Sequence, residues 1–591
     1  MVETLSQLFL NTVRTYVKDA LLMVKKDGRY TPISTPEFGR RVEHLSLGLA
    51  DLGLRPGDKL VILSENRPEW TITDFAVQCA GAITVPIYTS LMPEQIKYII
   101  NDSDAKIVVC SNQDLWLKIE AVRHELPNVH HFIFMDEEAP RGVSTLAEVM
   151  ARGKVLAAAD AALFEKRALA VKPDDLASII YTSGTTGIPK GVMLTHGNFV
   201  SNSKALDAVT DFSVKDTILS FLPLSHVLER MTTFSFLYKG ATIAYAESID
   251  TVAENLIEVR PTIMISVPRL FDKIYAKVMD NVLAESAAKR KIFFWALGVG
   301  KKHGARRIRH LPIPKALDLQ YKLASKLVFS KIIAKTGGRV HFFVSGGAPL
   351  SGDVAEFFYA IGITILEGYG LTETSPVLTC NTFEKMKFGA VGPPVPGVEI
   401  KIAPDGEILA KGPNVMRGYY KKEAETREAF EGGWFHTGDI GHFDDEGFLI
   451  ITDRKKDILV TAGGKNVAPQ PIENQLKTNP YIQTAVVVGG GRKFISALVV
   501  PNFDKLEAYA KSKGIVFADR RELVEKEEIR AFMTAEINRS TPNLASYERI
   551  KKVVLLERDF NADTELTPSL KVKRHIVEKA FKDQIDTLYK E

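Results

Sequence analysis

Short apolar runs bounded by turn residues, alternating with segments of helical period, hold this chain to an α/β fold. Residues 59–64 (KLVILS) follow the turn signal Arg55-Pro56-Gly57-Asp58 and read as a strand. Residues 68–81 carry Trp70, Phe75 and Cys79 at helix-compatible spacing. The next strand is 83–88, followed by a helix over 93–101 and a strand over 106–110. The alternation resumes at 176–181, 242–245, 262–267 and 339–344. Apolar strands separated by helices predict largely parallel sheets.

A chain of 591 residues can bury more than one core. The charged run Asp453-Arg454-Lys455-Lys456-Asp457 separates the apolar strand 448–451 from the short unit 458–461. A boundary is placed there. It gives a large N-terminal domain, 1–455, of several subdomains with parallel-rich sheets and helices. A smaller domain of mixed helix and strand follows, 456–591, with a strongly charged helical stretch over 520–530.

Apolar residues make up 45% and charged residues 25%, ordinary values for a soluble globular protein. The formal charge of +4 is small for this length and gives no argument for nucleic-acid binding. Cys79, Cys110 and Cys380 are far apart, without a CxxC pair, so neither a zinc site nor a disulfide framework is expected. Three reduced thiols suit a cytosolic protein. Residues 1–19 mix charges with apolar residues, so no signal peptide is expected. No apolar run reaches the roughly 18 residues of a transmembrane helix.

One segment is unlike the rest. Residues 286–317 contain no acidic residue, while Lys289, Arg290, Lys291, Lys301, Lys302, Arg306, Arg307 and Arg309 crowd together. Ile292, Phe293, Phe294, Trp295 and Leu297 lie between the basic clusters. A solvated helix with its apolar face packed on the protein fits this pattern, and aromatic residues within a helix favour that reading. A peripheral surface meeting anionic lipid headgroups, on the inner face of a membrane, fits it too.

The residues that carry chemistry begin at Tyr181-Thr182-Ser183-Gly184-Thr185-Thr186-Gly187-Ile188-Pro189-Lys190-Gly191, directly after an apolar strand. Glycines let backbone N–H groups approach a phosphate, and the hydroxyls and Lys190 add donors and positive charge. A Walker A loop needs Gly-Lys-Ser/Thr, whereas Lys190 lies between Pro189 and Gly191, which disfavours P-loop ATPases.

This loop resembles the phosphate-binding signature of the ANL superfamily, which holds acyl-CoA synthetases, nonribosomal peptide adenylation domains and luciferases. Further matches follow in the family's order and span most of the chain. Ser345-Gly346-Gly347-Ala348-Pro349-Leu350 resembles the adenine-side loop. In Glu367-Gly368-Tyr369-Gly370-Leu371-Thr372-Glu373-Thr374 the resemblance implies that Tyr369 stacks on adenine, Thr372 reaches the phosphates and Glu373 holds Mg²⁺. A flat ring suits a base and a hard oxygen ligand suits magnesium. Read without the family, Glu373 is a surface or helix N-terminal carboxylate. Trp434-Phe435-His436-Thr437-Gly438-Asp439 resembles the segment whose aspartate accepts the ribose hydroxyls, and Arg454 matches a second ribose contact.

The resemblance also makes Lys456 the hinge about which the C-terminal domain rotates between half-reactions. Thr461-Ala462-Gly463-Gly464-Lys465 resembles the loop lining the pantetheine channel, where small residues leave room for a thin thiol arm. Leu566-Thr567-Pro568-Ser569-Leu570-Lys571 resembles the motif of the adenylation lysine, with Lys573 and Arg574 as neighbouring cations that could compete for the register. Leu570 stands where many members have glycine, a variant similar to long-chain acyl-CoA synthetases. The segment Phe221-Leu222-Pro223-Leu224-Ser225-His226-Val227-Leu228-Glu229-Arg230 resembles that subgroup's acyl-pocket motif. It places His226 near the carboxylate, although a hydrogen-bonded structural histidine accounts for it almost as well. The stretch 286–317, with 326–331 after it, resembles the subgroup's insert.

The implied reaction has two steps, with ATP, Mg²⁺ and coenzyme A as partners of a fatty acid. The carboxylate attacks the α-phosphorus of ATP and pyrophosphate leaves. The CoA thiol then attacks the acyl carbon and AMP leaves. A carboxylate meeting a triphosphate is a charge-repulsion problem, so cationic stabilisation by Lys571, Mg²⁺ and loop donors is the expected strategy. Loading of a carrier protein instead of CoA, an aryl or short-chain substrate, a luciferase-like oxidase and a catalytically silent nucleotide-binding regulator are the alternative readings.

Overall fold

The computed structural model describes residues 2–182, 189–542, 544–561, 564–566 and 572–590. Among these residues, two eight-stranded sheets form the bulk of the N-terminal part. In one, Ile83–Ile87, Lys59–Leu63, Ala105–Cys110 and His131–Phe134 lie side by side in parallel, the first three buried on both faces. Near-continuous Val, Ile and Leu in these strands is what two covered faces require. Leu176–Thr182 joins Ile83–Ile87 in parallel, and Lys190–Thr195 then turns back antiparallel at its side. In the other sheet, Thr242–Tyr245, Thr217–Ser220, Ile263–Ser266, Phe342–Ser345 and Thr364–Gly370 run parallel in that order. Leu22–Lys26 joins Thr242–Tyr245 in parallel, and the antiparallel strands Arg29–Ile33 and Val377–Cys380 close the two margins.

A five-stranded antiparallel sheet follows, centred on Glu407–Lys411, Trp434–Phe443 and Leu449–Arg454. From Leu459 to Ile585 the chain builds a separate apolar core around Ile482–Val488, Ser496–Pro501 and Lys552–Leu555.

The expected elements are found, with three differences. The strand expected over 339–344 is Phe342–Ser345, because Gly337 and Gly338, at φ 86° and 73°, still turn the chain just before it. The charged stretch 520–530 is two helices, Arg520–Glu525 and Glu527–Ser540, parted at the extended Lys526 (φ −61°, ψ 133°). That break lets Leu523 and Val524 reach the same core as Ile529 and Met533.

The third difference concerns the basic stretch. It forms the helix Ala287–Ile308, and Phe293, Ala296, Val299, Gly300, His303 and Gly304 are its buried stripe. A Cβ on Gly300 would lie 2.5 Å from the Ala360 carbonyl oxygen, so the helix rests directly on Gly352–Ala360. The aromatic residues divide. Phe293 packs inward, while Ile292, Phe294 and Trp295 are 46%, 47% and 40% exposed. The stripe holds one side only, and the residues between its members face outward.

Candidate active site

The carboxyl ends of the second sheet's parallel strands lie level, with Ser266 opposite Ser345 and Ser345 opposite Glu367. The segments that leave this edge are those singled out in the sequence: 221–230, 346–350 and 368–374. Ligands of α/β folds bind at this edge of a parallel sheet. The segments touch one another. A Cβ on Gly346 would lie 3.2 Å from the Leu228 side chain, which joins the 221–230 motif to the 346–350 loop. Gly347 is left-handed at φ 79° and Ala348 beside it is exposed.

Glu367 is buried, with its carboxylate accepting from the Gly389 N–H at 3.3 Å. Burial pushes its carboxyl up to about 8, which favours the neutral acid at pH 7. Gly368 and Gly370 lie on the strand that pairs with Val377–Cys380. A Cβ on Gly370 would come within 1.7 Å of the Pro376 carbonyl oxygen, so only glycine lets the strand return this tightly. The return presents Thr372–Thr374 as a single 3₁₀ turn. Thr372 and Glu373 are half-buried there, and burial raises the Glu373 carboxyl above its ordinary range.

Tyr369, Asp439 and Arg454 are brought together across 85 residues of sequence by the strand register, which pairs Asp439 with Arg454. The Tyr369 hydroxyl donates to Asp439 Oδ2 at 2.7 Å, and Arg454 Nε lies 3.1 Å from Asp439 Oδ1. Asp439 is buried, and its charge raises the Arg454 guanidinium further. Burial keeps the Tyr369 hydroxyl a neutral donor. The aspartate thus has each oxygen engaged, and a fixed carboxylate of this kind can accept from vicinal hydroxyls.

Thr182 and Lys190 form the last pair between Leu176–Thr182 and Lys190–Thr195. Ser183, Gly184, Thr185, Thr186 and Gly187 of the glycine- and hydroxyl-rich loop lie outside the described residues, as does Lys571. The ends of that loop are held by groups that sequence reading missed. Tyr98 donates to the Pro189 carbonyl at 3.3 Å, and Tyr181 donates to Asp102 at 2.6 Å. Both partners come from the helix Pro93–Asp102. Lys190 Nζ sits 5.1 Å from the ring centre of Tyr419, whose hydroxyl donates to Glu373 Oε1 at 3.0 Å.

His226 caps the helix Val227–Tyr238, its Nδ1 accepting the Leu228 N–H at 3.2 Å. That bond places the proton of the neutral ring on Nε2, as a donor. The Tyr88 ring meets the imidazole edge-on, 6.5 Å between centres. The observed role of His226 is thus structural, as the cap of this helix.

In the C-terminal part, Lys456 lies exposed in the turn directly after Leu449–Arg454. Gly463 and Gly464 are exposed on a loop closed by Thr461 and Lys465, with Gly464 left-handed at φ 71°. Of the cations near Lys571, Arg574 is committed to Glu473 at 2.7 Å and to the Val487 carbonyl at 2.6 Å. Lys573 donates to the Thr564 carbonyl at 3.3 Å.

A divalent cation fits Glu373. Its carboxyl is a hard oxygen donor that burial disfavours as a bare anion, so a nearby cation would compensate it. Among the described residues no cluster of three or more His, Cys, Asp or Glu could hold a metal. One carboxylate completed by phosphate oxygens and water is the usual arrangement for Mg²⁺ with a nucleotide.

The AMP-binding enzyme family matches residues 11–420, and the AMP-binding enzyme C-terminal domain matches 456–591. The long-chain-fatty-acid–CoA ligase FadD15 of Mycobacterium bovis is 37% identical over 95% of this chain and 93% of its own length. The peroxisomal long chain acyl-CoA synthetase 7 of Arabidopsis thaliana is 32% identical over 100% of this chain and 86% of its own. Among solved structures, the A domain of a carboxylic acid reductase from Segniliparus rugosus, in complex with AMP and a co-purified carboxylic acid, superposes with a TM-score of 0.76. It covers 99% of this chain and 94% of that one at 22% identity.

Proposed function

Because the chain belongs to the AMP-binding enzyme family, we propose that it is a long-chain fatty-acid–CoA ligase that works through an acyl-adenylate. The observation that carries this reading is near-full-length similarity to ligases of that name, together with the Tyr369–Asp439–Arg454 linkage at the sheet edge. Tyr369 would face the adenine and Asp439 with Arg454 the ribose. Thr182, Ser183, Gly184, Thr185, Thr186, Gly187, Lys190 and Thr372 would receive the phosphates. Gly346, Gly347 and Ala348 would border the base, with Glu367, Gly368 and Gly370 shaping the strand beneath it. Mg²⁺, held by Glu373, would neutralise charge on the phosphate oxygens. His226 would lie near the acyl carboxylate.

Lys571 would bridge the carboxylate and the α-phosphate, offsetting their repulsion. The domain 456–591 would then turn about Lys456 and bring Gly463 and Gly464 to the site for CoA. ATP–pyrophosphate exchange across acids of different length, with and without CoA, tests the proposal. Exchange should favour long chains, and acyl-CoA should form only when CoA is present. No exchange with any acid would leave a nucleotide-binding regulator. Transfer to a carrier protein but not to CoA would point to the other acceptor.

No helix among the described residues is long and apolar enough to cross a membrane. A peripheral contact with an anionic bilayer is the reading we favour for the helix Ala287–Ile308. Lys291, Phe294 and Trp295 lie at i, i+3 and i+4 on one exposed face of this helix, and Leu319 and Leu323 of the helix Lys315–Ala324 are exposed as well. Arg307 is a poor probe of this surface, because it stacks on Tyr359 at 4.0 Å and bonds its hydroxyl. Changing Lys291→Gln, Phe294→Ser and Trp295→Ser together should reduce flotation with phosphatidylserine-containing vesicles by at least about tenfold, given ~1 kcal/mol per basic residue plus the apolar area. Unchanged flotation would sink the membrane reading.

A further inference from the structure

Residues 414–420 join two parts of the site that the sequence keeps far apart. Asn414 Nδ2 donates to the carbonyls of Thr374 (2.8 Å) and Val377 (3.0 Å), and the Met416 N–H donates to the Glu373 carbonyl at 2.8 Å. Directly afterwards Gly418–Tyr419 pairs antiparallel with Lys190–Thr195. The Arg417 and Tyr420 N–H groups extend that pairing, to Met193 at 3.0 Å and Gly191 at 2.7 Å. One end of the segment is thus fastened to the Glu373 turn and the other to the strand that begins at Lys190.

Tyr419 stands where the two fastenings meet. Its hydroxyl donates to Glu373 Oε1 at 3.0 Å, and its ring lies 5.1 Å from Lys190 Nζ, within cation–π range. Its own placement is fixed as well. Gly418 sits at φ 145°, and a Cβ there would lie 2.7 Å from Thr426 Cγ2. The Tyr419 N–H meanwhile donates to Thr426 Oγ1 at 2.9 Å.

We propose that Tyr419 is a positioning residue for the triphosphate end of the site, its hydroxyl orienting the Glu373 carboxylate while its ring face holds the Lys190 ammonium. The carboxylate and the lysine are then set relative to one another before nucleotide arrives. This rests on the reading of Glu373 as the cation-binding carboxylate and Lys190 as a phosphate contact. Tyr419 itself touches neither the acid nor the reacting phosphorus in that reading.

Tyr419→Phe removes the hydroxyl and keeps the ring. The probe is Mn²⁺, titrated by electron paramagnetic resonance into the full chain saturated with α,β-methylene ATP, which cannot form an adenylate. We expect Mn²⁺ to bind about tenfold more weakly, the low end for loss of a partner that orients a metal-binding group. AMP, which lacks the β- and γ-phosphates, should bind within twofold of wild type by calorimetry. Tyr420→Phe is the control, since that hydroxyl bonds Asp104 at 3.0 Å instead. It should change neither affinity. Equal Mn²⁺ affinity in Tyr419→Phe and wild type would overturn the positioning role, as would parallel weakening of Mn²⁺ and AMP. Wild-type chain that binds the nucleotide analogue without Mn²⁺ would overturn the reading of Glu373, and the proposal with it.

Discussion

Lys571→Ala should lower acid-dependent ATP–pyrophosphate exchange by about 10²–10³-fold, the usual cost of losing a group that stabilises transition-state charge. Conversion of supplied acyl-adenylate to acyl-CoA should stay within about threefold of wild type, because that step no longer joins two anions. Lys571 lies outside the described residues, and its motif assigns it this part. Arg574 is held by Glu473 and a backbone carbonyl, and Lys573 by the Thr564 carbonyl, so neither is arranged to replace it. The complementary variant is a bulky side chain at Gly464. In this arrangement a Cβ there meets nothing within 4 Å, so bulk alone costs the exposed loop little. The left-handed backbone is the remaining cost, roughly 1 kcal/mol, and Gly464→Asn controls for it because Asn tolerates that conformation. Gly464→Phe should spare exchange and reduce CoA transfer by about 10²-fold, a misplacement effect. Equal loss of both half-reactions in both variants would contradict a site that is assembled twice, in two orientations of residues 456–591.

The parts of this site that were legible in the sequence are those whose chemistry is confined to a few consecutive residues. Glycine and hydroxyl density marked the loop after Leu176–Thr182, and a strand followed by Gly-Tyr-Gly marked the turn at Glu373. What stayed hidden depends on register. Nothing local to Tyr419 distinguishes it from Tyr420; only the pairing of Gly418–Tyr419 with Lys190–Thr195 turns the one hydroxyl to Glu373 and leaves the other to Asp104. Tyr98 and Asp102 likewise support the phosphate loop from a helix that reads, in sequence, as an ordinary amphipathic segment. The basic helix was half legible. Its aromatic residues suggested inward packing, but successive residues of a helix point in different directions, and Phe293 could be buried only with Phe294 facing out.

Arg230→Met should destabilise the N-terminal part by about 3–5 kcal/mol, the cost of leaving one member of a buried ion pair alone. Arg230 ends the segment 221–230 that resembles an acyl-pocket motif. The structure gives it other work. Its side chain is 0% exposed, and its Nε and Nη2 meet the two Asp74 oxygens at 2.8 and 2.6 Å. Its third nitrogen reaches Ser178 Oγ, and the rings of Phe199, Phe234 and Trp70 lie 5.3–5.7 Å away. Asp74 is tied in turn to Gln78 and Thr84, so the pair fastens the helix Val227–Tyr238, capped by His226, to the first sheet. Urea denaturation followed by intrinsic fluorescence should move to a lower midpoint in Arg230→Met. It should recover by more than half in Asp74→Leu/Arg230→Met, where no charge is left unpaired. A substrate-binding arginine predicts the opposite pattern: an unmoved midpoint, a raised KM for the acid, and no rescue by the second change. His226 and Arg230 are four residues apart on one motif, and the Arg230–Asp74 pair holds in place the helix that His226 caps.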